Sequence, residues 1–288
     1  MKKSFVKLST FICIFISFIG FINAIKWDNA AYWNLDQISD PIKDVTGNGY
    51  DGTIVGKPIP GVDGRISKAI DFNYARGEDN YVNTSDIDLS GSVSYSLWVI
   101  PRETGDDTTY LSKRDEKGGT TIEVYANKNF NFCIRTTSKD SKKGWTPLKQ
   151  FFNTLSRIFL GKDLKNYTFW GLTALEENCA SSIAPLSSTE WHFIVAVYDE
   201  TKKNMFLYID GKYVTSAVHQ TGLPLNNKNY VIGANAMGKE GFDGGKGGSE
   251  GAADKIDEIG IWNRALNSTE ILELYNSGKG VKYAEQIS

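Results

Sequence analysis

The sequence predicts an all-β protein, an antiparallel β-sandwich closed by one short C-terminal helix and carrying one helical insertion. Three observations predict it. From residue 52 onward, apolar and polar residues alternate with a period of two in many short segments. Turn residues separate those segments, and the 28 glycines supply much of that punctuation. Helical periodicity surfaces only twice, with no β–α–β alternation that would signal a parallel sheet.

The N-terminus comes first. Lys2 and Lys3 precede a mostly apolar run over 8–22, and Ile22–Ala24 offers a small residue at the cleavage point. This is the pattern of a secretory signal peptide over residues 1–24. The alternative is an uncleaved anchor, since the run approaches the length that spans a bilayer. Residues 25–288 then form one domain, a size that sandwiches reach as a single unit.

The opening strands are read in "GTIVG" (52–56), "ISKAIDFN" (66–73) and "NYVNT" (80–84). In "SVSYSLWVI" (92–100), Val93, Tyr95, Leu97 and Val99 share one face, while Trp98 and Ile100 share the other. A strand apolar on both faces belongs in the middle of a layered sheet. "WHFIVAVYD" (191–199) reads the same way. "NMFLYIDGKYVTSAV" (204–218) is a hairpin, because Asp210-Gly211 suits a two-residue type I′ turn. "NYVIGA" (229–234) and "KIDEIGIW" (255–262) are the last strands. Trp98, Trp191 and Trp262 are expected in the core. The glycine-rich run 238–254 reads as a loop.

Of the two helical segments, the C-terminal one starts at Asn267, with Glu270 completing a capping box. It should bury Ile271, Leu272, Leu274 and Tyr275 and stop before Gly278, a left-handed cap. The other, 147–164, repeats Leu148, Phe151, Phe152, Leu155, Ile158 and Phe159 at helical spacing behind Pro147. Lys149, Arg157 and Lys162 make it basic. It either covers an open face of the sandwich, the preferred reading, or lies on a membrane or partner.

Cysteine and charge bound the chemistry. Without residues 1–24, the 32 Lys+Arg fall by three lysines to 29 against 34 Asp+Glu, so nothing suggests nucleic-acid binding. Only Cys133, Cys179, His192 and His219 remain as soft ligands, and they form no cluster with zinc spacing. In an oxidising compartment the two cysteines either pair, holding the base of an insertion over 138–180, or stay as buried thiols. The adjacent acids of "DEIG" sit on a strand, where consecutive side chains face opposite sides and cannot converge. There is no E-x-D pair of the kind that glycoside hydrolysis on such a sandwich uses. No catalytic residue is expected.

Three segments carry a resemblance: "DVTGNGYDGTIVG" (44–56), "GRISKAIDFN" (64–73) followed by "NYVNT", and "KIDEIGIWNRALNSTEILELY" (255–275). Together with "EWHFIVAVYD" and "MFLYIDGKYV" they resemble the laminin G-like, concanavalin A-like lectin/glucanase jelly-roll superfamily. The resemblance implies a jelly roll over about 28–278, apart from the insertion. It also implies a structural calcium ion where Asp257 meets the opening turn, with Asp44 and Asn48 as further ligands and Gly49 and Asp71 as additional ones. Physically, Gly47 and Gly49 would let the turn aim carbonyls at such an ion, which takes six to eight oxygens. The alternative is that Asp44 caps its turn and Asp257 pairs with Arg264 or solvent.

The function expected is a secreted, calcium-stabilised carbohydrate- or glycoconjugate-binding module without catalysis. Trp145, Tyr167 and Trp170, in the insertion, are candidates for stacking on a sugar, against the alternative that they fill a core. Other readings are an adhesive surface protein that binds another protein, and a divergent glycosidase or polysaccharide lyase.

Overall fold

The computed structural model describes residues 27–72, 80–101, 108–114, 121–126, 129–137, 175–224, 226–235, 251–252 and 255–283. The first strands are β1 (Asn29–Trp33), β2 (Thr53–Val55), β3 (Ile59–Asp63), β4 (Lys68–Asp71) and β5 (Tyr81–Asn83). Next come β6 (Val93–Ile100), β7 (Thr108–Arg114), β8 (Thr121–Ala126), β9 (Phe130–Thr137) and β10 (Leu175–Ser181). The central hairpin region is β11 (His192–Asp199), β12 (Asn204–Ile209) and β13 (Lys212–Val218). The last strands are β14 (Val231–Ile232), β15 (Gly251–Ala252) and β16 (Lys255–Trp262), followed by the helix α1 (Ser268–Tyr275).

Two sheets form a jelly-roll sandwich. One runs β13-β12-β11-β6-β16-β4-β3, with β1 also on β16; the other runs β10-β9-β8-β7-β14-β5-β2, with β15 on β7. Every pairing is antiparallel except β15 with β7. The alternation in β6 has the predicted outcome. Val93, Tyr95, Leu97 and Val99 lie in the core between the sheets, while Trp98 belongs to a second cluster on the outer face. Trp98 and Trp262 are buried as expected, and Trp191 is half-buried beside them.

The hairpin β12–β13 turns at Asp210 (φ 51°) and Gly211 (φ 73°), the two positive values that a type I′ turn requires. A bulge between Leu207 and Tyr208 sets the register.

α1 covers part of the outer face. Asn267 accepts from the amides of Thr269 and Glu270, and Glu270 reaches back to the Asn267 amide, so the capping box forms. Ile271 and Leu274 are buried, but Leu272 is 56% exposed, contrary to expectation. In eight residues only one narrow stripe faces the sheet, and Leu272 lies beside it, against the Gly211 turn. The first left-handed residue is Asn276 (φ 47°), two positions before Gly278. So short a helix is marginal alone; packing on Trp98, Phe193 and Trp262 holds it.

The predicted insertion ends earlier than residue 180. Leu175–Ser181 is strand β10, paired residue for residue with β9. Cys133 and Cys179 stand directly opposite each other and form a disulfide, with Cα atoms 4.1 Å apart. The 147–164 segment lies outside the described residues. Among the described residues no helix is long and apolar enough to cross a membrane.

Candidate functional site

The last strand explains the first feature. Along one edge of β16, Lys255 and Ile256 pair with β4, while Ile259–Trp262 face β1. At the handover, the register with β6 shifts between Asp257 and Gly260, and Glu258 takes φ 51°. A bulge of this kind re-aims side chains. Asp257 and Glu258 are consequently both buried, at 0% and 2% exposure; the charges of Glu258 and Asp36 add to the cost of ionising Asp257, and that of Asp36 to the cost of ionising Glu258. The expectation that adjacent acids must face opposite sides fails here because it holds only for a regular strand.

Asp257 Oδ2 accepts the Ile66 amide at 2.8 Å, within the turn that joins β3 to β4. Gly64 is needed there: a Cβ would stand 2.6 Å from Asp257 Oδ2 and 2.7 Å from the Lys68 carbonyl. Glu258 Oε2 accepts the Tyr32 hydroxyl at 2.6 Å. Asp257 Oδ1 and Glu258 Oε1 are buried without a hydrogen-bond partner among the described residues. Burial pushes the Asp257 carboxyl up to about 9, against the Ile66 amide, which lowers it; Glu258's charge raises it further. Burial likewise pushes Glu258 up to about 8.

The other expected metal ligands are engaged elsewhere. Asp44 Oδ1 accepts from the amides of Tyr32 and Thr46 and from the Thr46 hydroxyl, while Oδ2 accepts the Tyr50 amide. That is a turn cap. Asn48 donates to the Ala30 carbonyl at 2.9 Å, tying the same turn to β1. Gly49 lies in this turn with φ 85°. Asp71 ends β4 opposite Lys255. Arg264 pairs with Asp28 and Glu270, not Asp257. The two chain ends do meet, through β1 on β16, yet among the described residues no group of three or more His, Cys, Asp or Glu could hold a metal. Among the described residues Asp257 and Glu258 supply two carboxylate oxygens without a partner, fewer than the six to eight that calcium takes, and Asp44, Asn48, Gly49 and Asp71 do not join them.

Trp145, Tyr167 and Trp170 lie outside the described residues. A second feature does not: an open cleft of about 270 Å³ lined by Asp88, Leu89, Lys113, Pro224, Asn226 and Asn227. Three segments build it. The short β14 pairs with β5 on one side and β7 on the other, which brings residues 84–89 together with Pro224 and residues 226–229 over Lys113. Lys113 shares the inward register of Leu111, at the mouth of the core. Its ammonium donates to Asp86 Oδ1 at 2.6 Å and to the Ile87 carbonyl at 2.9 Å, and lies 5.3 Å from the Tyr230 ring centre. Asp88 and Asn227 are exposed, and neither side chain has a hydrogen bond or ion pair among the described residues. The sequence held one sign of this site, a lysine in the apolar register of "TTYLSKR"; the rest depends on pairing between distant segments.

Residues 140–272 match the family model described as the concanavalin A-like lectin/glucanases superfamily. No curated relative matches the chain significantly in sequence. Among solved structures, it is similar to domain 4 of AbnA, a GH43 extracellular arabinanase from Geobacillus stearothermophilus, in complex with arabinotriose. The identity is 17% and the TM-score 0.57, over 85% of this chain and 97% of that one. It is similar too to the binding domain of Paraclostridial Mosquitocidal Protein 1, at 19% identity and TM-score 0.56, over 88% and 53%. The binding domain of Botulinum Neurotoxin DC in complex with SialylT follows at 13% identity and TM-score 0.52, over 88% and 52%. The chain thus spans about half the length of those two toxin domains. At these identities the likeness is one of fold.

Proposed function

We propose that this chain, a jelly roll whose residues 140–272 fall in the concanavalin A-like lectin/glucanase superfamily, is an exported carbohydrate-binding module without catalysis of its own. The observation that carries the reading is a sandwich with an open polar cleft at its mouth, on a fold shared almost end to end with an arabinanase domain held in complex with arabinotriose. One fold hosts many functions, so Asp88 and Asn227, which make no hydrogen bond or ion pair among the described residues, support sugar binding beside the fold.

Against hydrolysis, the close acid pair Asp257 and Glu258 is sealed from solvent, where no substrate reaches it. The Cys133–Cys179 disulfide suits an oxidising compartment, in keeping with the signal-like N-terminus. Calcium enters the proposal at the bulge, with Asp257 Oδ1 and Glu258 Oε1 as the carboxylate oxygens that would hold it. The ion would supply the charge neutralisation that burial denies the two carboxylates.

A glycan array probed with residues 25–288, first in calcium and then in chelator, tests the reading. Binding to sugars, with no sugar released from polysaccharides on incubation, is the expected result. Silence across a broad array, or turnover, would overturn it.

A further inference from the structure

Resting on the carbohydrate-binding reading, we infer that the cleft between 86–89 on one side and Pro224, Asn226 and Asn227 on the other is the sugar site, and that it takes a neutral, hydroxyl-rich sugar in preference to an anionic one. The polar groups are of the right kind. Asp88 offers a carboxylate that accepts from adjacent hydroxyls, and Asn227 offers an amide that both donates and accepts. Both are unspent among the described residues. Leu89 and Pro224 are buried walls that can meet the C–H face of a sugar ring.

Size and charge narrow the ligand. At about 270 Å³ the cleft falls below the roughly 300–1,000 Å³ of pockets that enclose drug-sized ligands, so it holds one ring or a chain end, not an oligosaccharide. Among the described residues the one cation lining it is spent. Lys113 has 5% side-chain exposure and is bonded to Asp86 and to the Ile87 carbonyl. A sialylated or uronic sugar would meet the Asp88 carboxylate while Lys113, the cation among the described lining residues, is already paired with Asp86. Lys113 is accordingly a positioning residue: it clamps residues 86 and 87, which fixes the wall that carries Asp88 before any ligand arrives.

The test titrates residues 25–288 with arabinotriose as probe, and compares neutral sugars with a sialylated trisaccharide on an array. Neutral sugars should bind and the sialylated one should not. Asp88→Ala and Asn227→Ala should each weaken the neutral sugar about tenfold or more, as loss of a hydrogen bond to a charged or well-placed group does, with the melting temperature unchanged. Neutral-sugar binding that survives the double variant overturns the cleft and leaves carbohydrate binding standing. Selective binding of the sialylated trisaccharide overturns the neutral class. A wild-type protein that binds no sugar at all overturns both this inference and the reading beneath it.

Discussion

Asp257 and Glu258 behave as they do because a bulge puts two carboxyl groups into a place that solvates neither. Their carboxyls sit near 9 and 8, above the ordinary values that the unfolded chain restores. Between about pH 4 and those values the folded state therefore holds protons that the unfolded state has released. Stability is greatest at the acidic end of this window and declines as pH rises, at no more than about 1.4 kcal/mol per pH unit for each group. Thermal melts in chelator should show the melting temperature falling from pH 5 to pH 9, and Asp257→Asn should flatten the slope. Calcium should flatten it as well, most strongly at high pH, where the ion competes with fewer protons. A wild-type profile that is level in chelator would contradict this. Asp44 makes the opposite prediction. Asp44→Ala leaves the amides of Tyr32, Thr46 and Tyr50 without their acceptor and should cost about 2–4 kcal/mol, equally in calcium and in chelator. A larger loss in calcium would make Asp44 a ligand instead of a cap.

At the scale of elements, α1 is held by its ends and its stripe. Removing the cap with Asn267→Ala should cost about 1 kcal/mol in urea unfolding. Glu270→Ala should cost more, because Glu270 also pairs with Arg264. Equal losses would leave the ion pair without weight. The cap was legible in the sequence because it is local: Asn267 and Glu270 lie one turn apart. So were β6 and β11, whose apolar residues on both faces persist through most of each strand. What the sequence hid was non-local. Strand β10 begins inside the predicted insertion because only pairing with β9 makes Leu175–Ser181 extended. The bulge at Asp257 hid for the same reason, since it marks where β16 exchanges one neighbour for another. The cleft joins residues 88, 113 and 227, which no window of sequence contains together.

At the scale of the molecule, the disulfide and the sandwich work on different terms. Cys133–Cys179 closes a loop of 46 residues, which by chain entropy stabilises the fold by up to about 4 kcal/mol. A reductant, or Cys133→Ser with Cys179→Ser, should lower the melting temperature without abolishing sugar binding, because the cleft draws on β7 and β14, not on β9 or β10. Loss of binding with the fold intact would tie the site to the insertion that holds Trp145, Tyr167 and Trp170. The most direct measurement is backbone NMR of residues 25–288 titrated with a neutral sugar such as arabinotriose. The amides of 86–89, 113 and 226–227 should shift together and saturate. Shifts confined to 138–174, or a spectrum that never moves, would contradict a sugar site at the mouth of the sandwich.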